Sequence, residues 1–195
     1  MIYFDAAYIA KCYLNEPGAD RVREVAYGAD GLASCELARL EFASILKRHV
    51  RERHVTRREM TSILKDFEED AKSGVWQWFG VTSELLKKTC RAVLDLPSTV
   101  FVQSGDALHL ACAEEHGFQE VYTNDCHMLQ AAKHFHVTGV NVLSESNRGI
   151  DEQRYTSLDE LKATLVTETT KAGSSELRRP TPEPASSAHH VQDKQ

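Results

Sequence analysis

The chain has 195 residues, of which 42% are hydrophobic and 27% are charged, and its formal net charge is −6. These values are typical of a globular protein that buries a sizeable core, and they exclude a general electrostatic attraction for nucleic acid. No stretch approaches the roughly 20 apolar residues that span a bilayer, and the amino terminus does not resemble a signal peptide, so we expect a cytoplasmic protein with no membrane partner. The five cysteines are never spaced as C-x-x-C, which argues against a disulfide framework and a thiolate zinc site.

A short strand followed directly by a helix opens the chain. Residues 1–4 are apolar with strand character, the run stops at Asp5, and apolar residues then recur with helical spacing over residues 6–14. In open parallel sheets ligands bind beyond the carboxyl ends of the strands, so Asp5 is a candidate site residue. The alternative is that Asp5 only caps the helix.

Helices and strands continue to alternate through the next part of the chain. The patterns predict helices over residues 19–27, 36–53 and 57–72, and strands over 31–34 and 75–79. The last of these strands contains Trp76 and Trp78, for which packing in the core is favoured over stacking with nucleic acid bases.

The helix predicted over residues 36–53 carries a carboxylate among apolar residues. Leu37, Leu40 and Ile45 define an apolar stripe, and Glu41 lies on it. A buried carboxylate needs a partner, because its desolvation without one costs several kcal/mol. A bound cation is the partner we expect; the alternatives are a salt bridge to Arg or Lys and an edge position that reaches water.

A basic hairpin is predicted between this helix and the next one. Thr56 and Glu59 form a capping box at the start of the second helix, so the connection between the two helices is short. Arg51, Arg57 and Arg58 flank that connection and are candidate RNA-binding residues. The alternative is that these charges are simply exposed to water at the end of the hairpin and bind no RNA.

Two further acids lie at the ends of elements in the second half of the chain. A helix over residues 83–94 is followed by one over 107–115, for which Ser104 is the predicted N-cap and Asp106 lies at the junction. A strand over residues 120–123 is followed by Asn124 and Asp125, as the first strand is followed by Asp5. Another amphipathic helix and a last strand over residues 139–143 complete the pattern.

The alternation predicts a three-layer α/β/α fold with a central, mainly parallel sheet of four or five strands. We expect this domain to cover residues 1–143. Residues 144–195 form a polar tail in which apolar residues are sparse, with a short helix predicted over 157–166 and disorder in the rest.

Four carboxylates stand out from this pattern: Asp5, Glu41, Asp106 and Asp125. Clustered acids repel one another unless cations lie between them, and hard oxygen ligands of this kind suit Mg²⁺ or Mn²⁺. Such an ion can orient a phosphodiester, lower the pKa of a bound water and neutralise the leaving oxygen. The pattern therefore indicates phosphodiester hydrolysis.

The residues around these acids resemble the four acidic motifs of PIN-domain nucleases. The segments are MIYFD at residues 1–5, ARLEF at 38–42, SGDALHLA at 104–111 and YTND at 122–125. Their order and spacing are similar to those of VapC-type toxins of type II toxin–antitoxin pairs. The resemblance covers residues 1–143 and does not extend to the tail, which is longer than in these compact toxins.

This resemblance implies a metal-dependent endoribonuclease with a PIN-like fold. Asp5 and Asp106 would be direct ligands of Mg²⁺ or Mn²⁺, Glu41 and Asp125 would complete the site or order the water, and Thr123 and Asn124 would support them. The implied partners are an RNA substrate such as transfer RNA, a cognate antitoxin and a second copy of the chain in a homodimer.

The alternative is a catalytically inactive PIN module that binds RNA or a protein partner. The presence of all four acids argues against it, because a module that only binds has no need of mutually repelling carboxylates.

Overall fold

The computed structural model describes residues 1–144 of the chain. The strands are β1 (Ile2–Phe4), β2 (Leu32–Cys35), β3 (Trp76–Phe79), β4 (Glu120–Tyr122) and β5 (Thr138–Val140). The α-helices are α1 (Ala6–Tyr13), α2 (Ala19–Tyr27), α3 (Leu37–Arg51), α4 (Arg57–Ser73), α5 (Ser83–Leu94), α6 (Ser104–Glu115) and α7 (Cys126–Ala131), which continues into a 3-10 turn (Ala132–Phe135). The predicted helix at 157–166 and nearly all of the polar tail lie outside the described residues.

The five strands form one parallel sheet in the order β3-β2-β1-β4-β5. This confirms the predicted α/β fold. The chain enters the sheet at its centre and builds outward, first to β2 and β3 and then to β4 and β5. The direction of winding therefore changes between β1 and β4, and ligands bind at such a switch point, outside the carboxyl ends of the strands.

Helices cover both faces of the sheet because side chains alternate along each strand. On one face Tyr3 packs with Leu85 of α5, Leu110 of α6 and Met128 of α7 in the main hydrophobic cluster. On the other face Phe4 contacts Tyr8 of α1.

A second aromatic cluster joins α1, α3 and α4 beneath the opposite face of the sheet. Tyr13 contacts Phe42 and Phe67, and its hydroxyl accepts a hydrogen bond of 2.8 Å from Nε1 of Trp76. Trp76 is buried and belongs to the core, as predicted, while Trp78 is half-buried beside Phe67. All five cysteines are free, and three of them are buried.

Helix α3 packs on a different row of residues from the predicted stripe. Its buried residues are Ala38, Phe42 and Leu46, whereas Leu40 is 67% exposed, so the predicted stripe was wrong at that position. The large ring of Phe42 sets the orientation, because it packs among the aromatic side chains of α1 and α4. Glu41 borders the buried row and is half-buried.

Two predicted boundaries differ from the structure for identifiable reasons. Helix α6 begins at Ser104 with Gln103 at the N-cap, so Ser104 does not cap it. Strand β5 ends at Val140 because the following backbone N–H groups turn to side chains: that of Val142 donates to Tyr8 Oη and that of Leu143 to Asn141 Oδ1. The capping box of Thr56 and Glu59 is present as predicted. No helix among residues 1–144 combines the length and apolar character that a bilayer crossing requires.

Candidate active site

Asp5 follows β1 and is held by hydrogen bonds to both of its carboxylate oxygens. Oδ1 accepts from the Tyr8 backbone N–H at 2.7 Å, which caps α1, and Oδ2 accepts from Thr123 Oγ1 at 2.5 Å. Asp5 is only 6% exposed, and burial raises its pKa to about 6 in spite of these hydrogen bonds. Asp5 therefore caps α1, as one interpretation of the sequence predicted, and it also lies at the carboxyl end of β1.

Thr123 connects the ends of β1 and β4. Its buried hydroxyl donates to Asp5 and also accepts a hydrogen bond of 3.0 Å from the Asp125 backbone N–H. Asp125 in turn caps α7, because its Oδ1 accepts from the backbone N–H groups of His127 and Met128 at 2.8 and 2.9 Å. Asn124, between them, is exposed and forms no side-chain hydrogen bond with the part of the chain that the structure describes.

Asp106 lies in the first turn of α6 and interacts electrostatically with the other acids. Burial raises its pKa, as do the charges of Asp125 and Glu41, while His109 opposes the shift. Its Oδ2 atom is buried without a hydrogen-bond partner among residues 1–144. Leaving such a group unpaired costs about 1–3 kcal/mol, more when it is charged, so this oxygen is suited to bind a ligand.

Glu41 approaches the site from α3 and pairs with a histidine. Its Oε2 lies 2.8 Å from Nε2 of His109, and Nδ1 of His109 lies 3.1 Å from the Tyr3 hydroxyl. Burial opposes protonation of His109, but the hydrogen bond to Glu41 and its charge raise the pKa of the imidazole above its ordinary value. A Cβ atom at Gly105 would lie 2.7 Å from Glu41 Oε1, so a side chain at this position would displace the Glu41 carboxylate.

This histidine is the functional residue that sequence reasoning missed. The partners considered for Glu41 were a bound cation, a salt bridge to Arg or Lys, and water at an edge position, and the structure places the buried His109 beside it. The available signal was its spacing, because His109 lies three residues after Asp106 and so shares its helix face.

Replacing Glu41 with glutamine is expected to lower the pKa of His109. The change removes the charge that favours the imidazolium form and leaves the burial that disfavours it. A titration of the His109 ring followed by NMR measures the shift. Glu36→Gln, a change at an exposed carboxylate one residue before α3 that pairs with Arg39, is the matched control and should leave the pKa of His109 unchanged. Equal pKa values in the Glu41→Gln protein and wild type would contradict the assigned pairing.

The four acids form no ion pair with a lysine or arginine within the described range. Among residues 1–144, His109 pairs with Glu41 and also acts electrostatically on Asp5 and Asp106. A group of carboxylate oxygens with this little compensation fits a hard divalent cation such as Mg²⁺ or Mn²⁺.

The carboxylates are not oriented as a finished coordination sphere. No three His, Cys, Asp or Glu side chains in residues 1–144 are arranged as a metal-binding group. The hydrogen bonds above explain this, because Asp5 and Asp125 cap helices and Glu41 faces His109. Oδ2 of Asp106, in contrast, has no hydrogen-bond partner among residues 1–144.

The basic hairpin lies away from the acids. Arg51, Arg57 and Arg58 are exposed around the connection between α3 and α4. Arg51 follows Glu41 by ten residues on the same helix, which corresponds to about 15 Å along the axis. The structure links Asp5, Thr123 and Asp125 by hydrogen bonds and places Asp106 within electrostatic reach of the other three acids, whereas the arginines lie around the hairpin.

The model of the PIN domain family matches residues 2–134, and the chain belongs to that family. Among solved structures, the VapC20 toxin of Mycobacterium tuberculosis, which cleaves the sarcin–ricin loop, is similar with a TM-score of 0.55 and 15% identity, over 67% of this chain and 95% of that one. A chain of the FitAB complex bound to the IR36 DNA fragment is similar with a TM-score of 0.54 and 12% identity, over 79% of this chain and 100% of that one. These similarities show a shared fold. No curated protein sequence matches the chain.

Proposed function

We propose that this PIN domain is a metal-dependent endoribonuclease that hydrolyses RNA phosphodiester bonds in the cytoplasm. The observation that carries the proposal is the set of interacting acids at the switch point of the sheet. They come from four separate segments of the chain, and Asp106 interacts electrostatically with the other three. Membership of the PIN family supports the same activity.

The proposed ligands of Mg²⁺ or Mn²⁺ are Asp5, Glu41, Asp106 and Asp125. Asp106 and Asp5 would bind the ion directly, the former through its unpaired Oδ2. Glu41 and Asp125 would complete the site or accept a hydrogen bond from the attacking water. A bound divalent cation would supply positive charge to the phosphate and lower the pKa of a coordinated water.

Neighbouring residues of the chain fix the acids in position. Thr123 orients Asp5 and the backbone of Asp125 through one hydroxyl, and His109, held by Tyr3, orients Glu41. Asn124 is exposed beside them, where its amide is available to substrate or water. Such supporting residues commonly change metal affinity 10- to 100-fold when they are replaced.

Hydrolysis of bulk RNA in the presence and absence of divalent cation tests this function. We expect cleavage with Mg²⁺ or Mn²⁺, none after EDTA, and recovery when the metal is restored in excess. Cleavage that persists in EDTA would contradict the metal dependence. RNA binding without cleavage under any of these conditions would favour the alternative, an inactive PIN module.

We further propose that the chain is the toxin of a type II toxin–antitoxin pair and forms a homodimer. The similarity of its fold to the VapC20 toxin and to the FitAB complex supports the toxin assignment.

Helix α5 supports the homodimer, because the apolar side chains of Leu86, Val93 and Leu94 are exposed there. Growth arrest on expression, relieved by the product of an adjacent small gene, tests the pairing, and analytical ultracentrifugation tests the dimer. Transfer RNA is the first substrate to examine.

Reversing the charges of Arg51, Arg57 and Arg58 to glutamate is expected to weaken RNA binding and flatten its salt dependence. The slope of log K against log salt is negative. Each lost contact with a phosphate of single-stranded RNA reduces its magnitude by about 0.7, so the loss of three contacts reduces it by about 2. Fluorescence anisotropy with a labelled oligoribonucleotide over a salt series measures the slope. Reversal of Lys65, Lys87 and Arg91, which are exposed on α4 and α5, is the matched control. Equal slopes for the two triple variants would mean that the hairpin charges are exposed to water and make no contact with RNA.

A further inference from the structure

An aromatic pair, Phe101 and His127, lies on the two segments that carry Asp106 and Asp125, and its rings take no part in the hydrogen bonds of the acids. Phe101 lies in the segment that leads into α6 and is 58% exposed. Its ring centroid is 4.9 Å from that of the half-buried His127, and the two rings meet edge to face at 82°. This arrangement fixes the orientation of the Phe101 ring while much of the ring stays open to solvent.

His127 lies on α7, which Asp125 caps, and Phe101 lies just before α6, which carries Asp106. The backbone N–H of His127 donates to Asp125 Oδ1 at 2.8 Å, so the histidine lies in the turn that Asp125 caps. Phe101 precedes Asp106 by five residues, and the intervening Gln103 is the N-cap of α6. Asp106 and Asp125 interact electrostatically. The ring contact therefore joins the exposed Phe101 to the turn that Asp125 caps.

We propose that Phe101, supported by His127, stacks against an unpaired nucleobase of the RNA whose phosphate lies at the four acids. Aromatic side chains bind bases in this way because every base has a π-face, and such stacking requires that the base be free of a duplex. The proposed substrate class is thus single-stranded or looped RNA, recognised beside the cleaved bond through one splayed base. The inference rests on the proposed ribonuclease function.

The position of Phe101 favours a nucleobase over a protein partner. The exposed apolar residues of α5 are the surface proposed above for a second copy of the chain. Phe101 instead contacts His127 in the turn that Asp125 caps, and the acids with bound cations would hold a phosphate. A base attached to the nucleotide at that phosphate would lie within reach of a ring on the same edge.

Binding of short oligoribonucleotides tests the stacking site separately from cleavage. The probes are single-stranded heptaribonucleotides with 2-aminopurine at one position each, whose fluorescence is quenched on stacking. The protein is the full chain with Asp106→Asn, which is expected to slow hydrolysis and removes one negative charge that repels RNA. In this background Phe101→Ala is expected to weaken binding about 5- to 150-fold, Phe101→Trp to preserve it, and Phe101→Leu, which keeps an apolar side chain but no ring, to behave like alanine.

Two controls decide whether the ring stacks on a base. Leu94→Ala removes an exposed apolar side chain from the end of α5 (Leu94 is 83% exposed) and should leave binding unchanged. An abasic nucleotide at the most strongly quenched position should weaken binding to the Phe101 protein and abolish the difference between Phe101 and alanine.

Equal RNA binding by the alanine and phenylalanine proteins would overturn the proposal, and so would full RNA binding by Phe101→Leu. Additive effects of the abasic nucleotide and Phe101→Ala on RNA binding, or no measurable RNA binding by any of these proteins, would also overturn it. An effect of Phe101→Ala on self-association alone would assign the ring to a protein interface. If RNA binds and stacks but the unmodified protein never cleaves it, the ribonuclease function fails and the stacking site stands. If Phe101→Ala cleaves single-stranded RNA as wild type does, the ribonuclease function stands and the stacking site fails.

Discussion

Replacement of Asp106 by asparagine is expected to lower the rate of RNA hydrolysis by about 100- to 1,000-fold, the typical effect of removing one electrostatic stabiliser of a transition state. Asp106 contributes the buried oxygen without a hydrogen-bond partner, and an amide at this position carries no charge to hold a cation. Initial rates with saturating Mg²⁺ measure the loss.

The same substitution should preserve or increase the stability of the metal-free protein. Burial and the charges of Asp125 and Glu41 disfavour the ionised form of Asp106, so a neutral side chain removes an unfavourable charge. Urea unfolding in EDTA measures this effect. Asp95→Asn, at the C-cap of α5, is the control and should retain activity. Wild-type activity in Asp106→Asn, or a loss of activity explained by unfolding, would contradict the role given to this residue.

Asp5 is expected to make the metal-free protein less stable as the pH rises. Its pKa is raised from 3.8 to about 6 by burial, so the folded state binds this proton more tightly than the unfolded state. The resulting stabilisation is present below about pH 4 and is lost as the pH rises through the folded-state pKa. The free energy of unfolding of Asp5→Asn, relative to wild type, should therefore increase by on the order of 3 kcal/mol between pH 4 and pH 7.

The asparagine side chain can keep the local hydrogen bonds, which makes the comparison informative. Its oxygen can accept from the Tyr8 N–H and its amide can donate to Thr123 Oγ1. Asp30→Asn, at an exposed carboxylate before β2, is the matched control and should show no such pH-dependent gain. Saturating Mn²⁺ should abolish the difference between Asp5→Asn and wild type or reverse its sign, because an ion bound only by the folded wild type stabilises it. A difference that does not vary with pH would contradict the raised pKa.

The sheet and its edge were predictable because they depend on local patterns. Alternating strand and helix segments predicted parallel pairing, and parallel pairing placed Asp5 and Asp125 at the same edge. The orientation of α3 was not predictable, since Leu37, Leu40 and Ile45 also fit a helical stripe. Only the tertiary packing of Phe42 against Tyr13 and Phe67 selects the buried row.

The partners of the acids were less accessible from the sequence than the acids themselves. A buried carboxylate predicts a partner of opposite charge but does not identify it, and His109 is 68 residues from Glu41 along the chain. The link from Thr123 to both Asp5 and Asp125 depends on the register of β1 against β4, which short strands do not specify. The Phe101–His127 pair likewise depends on a contact between two elements that no periodicity reveals.

Diffraction from crystals grown with Mn²⁺, with anomalous data collected to locate the ion, shows whether the four acids bind a divalent cation. We expect an anomalous peak in contact with Asp106 Oδ2 and at least one carboxylate of Asp5, Glu41 or Asp125, and its loss in crystals of Asp106→Asn. A well-ordered site without such a peak at saturating Mn²⁺, with the four carboxylates still in their present hydrogen bonds, would contradict it.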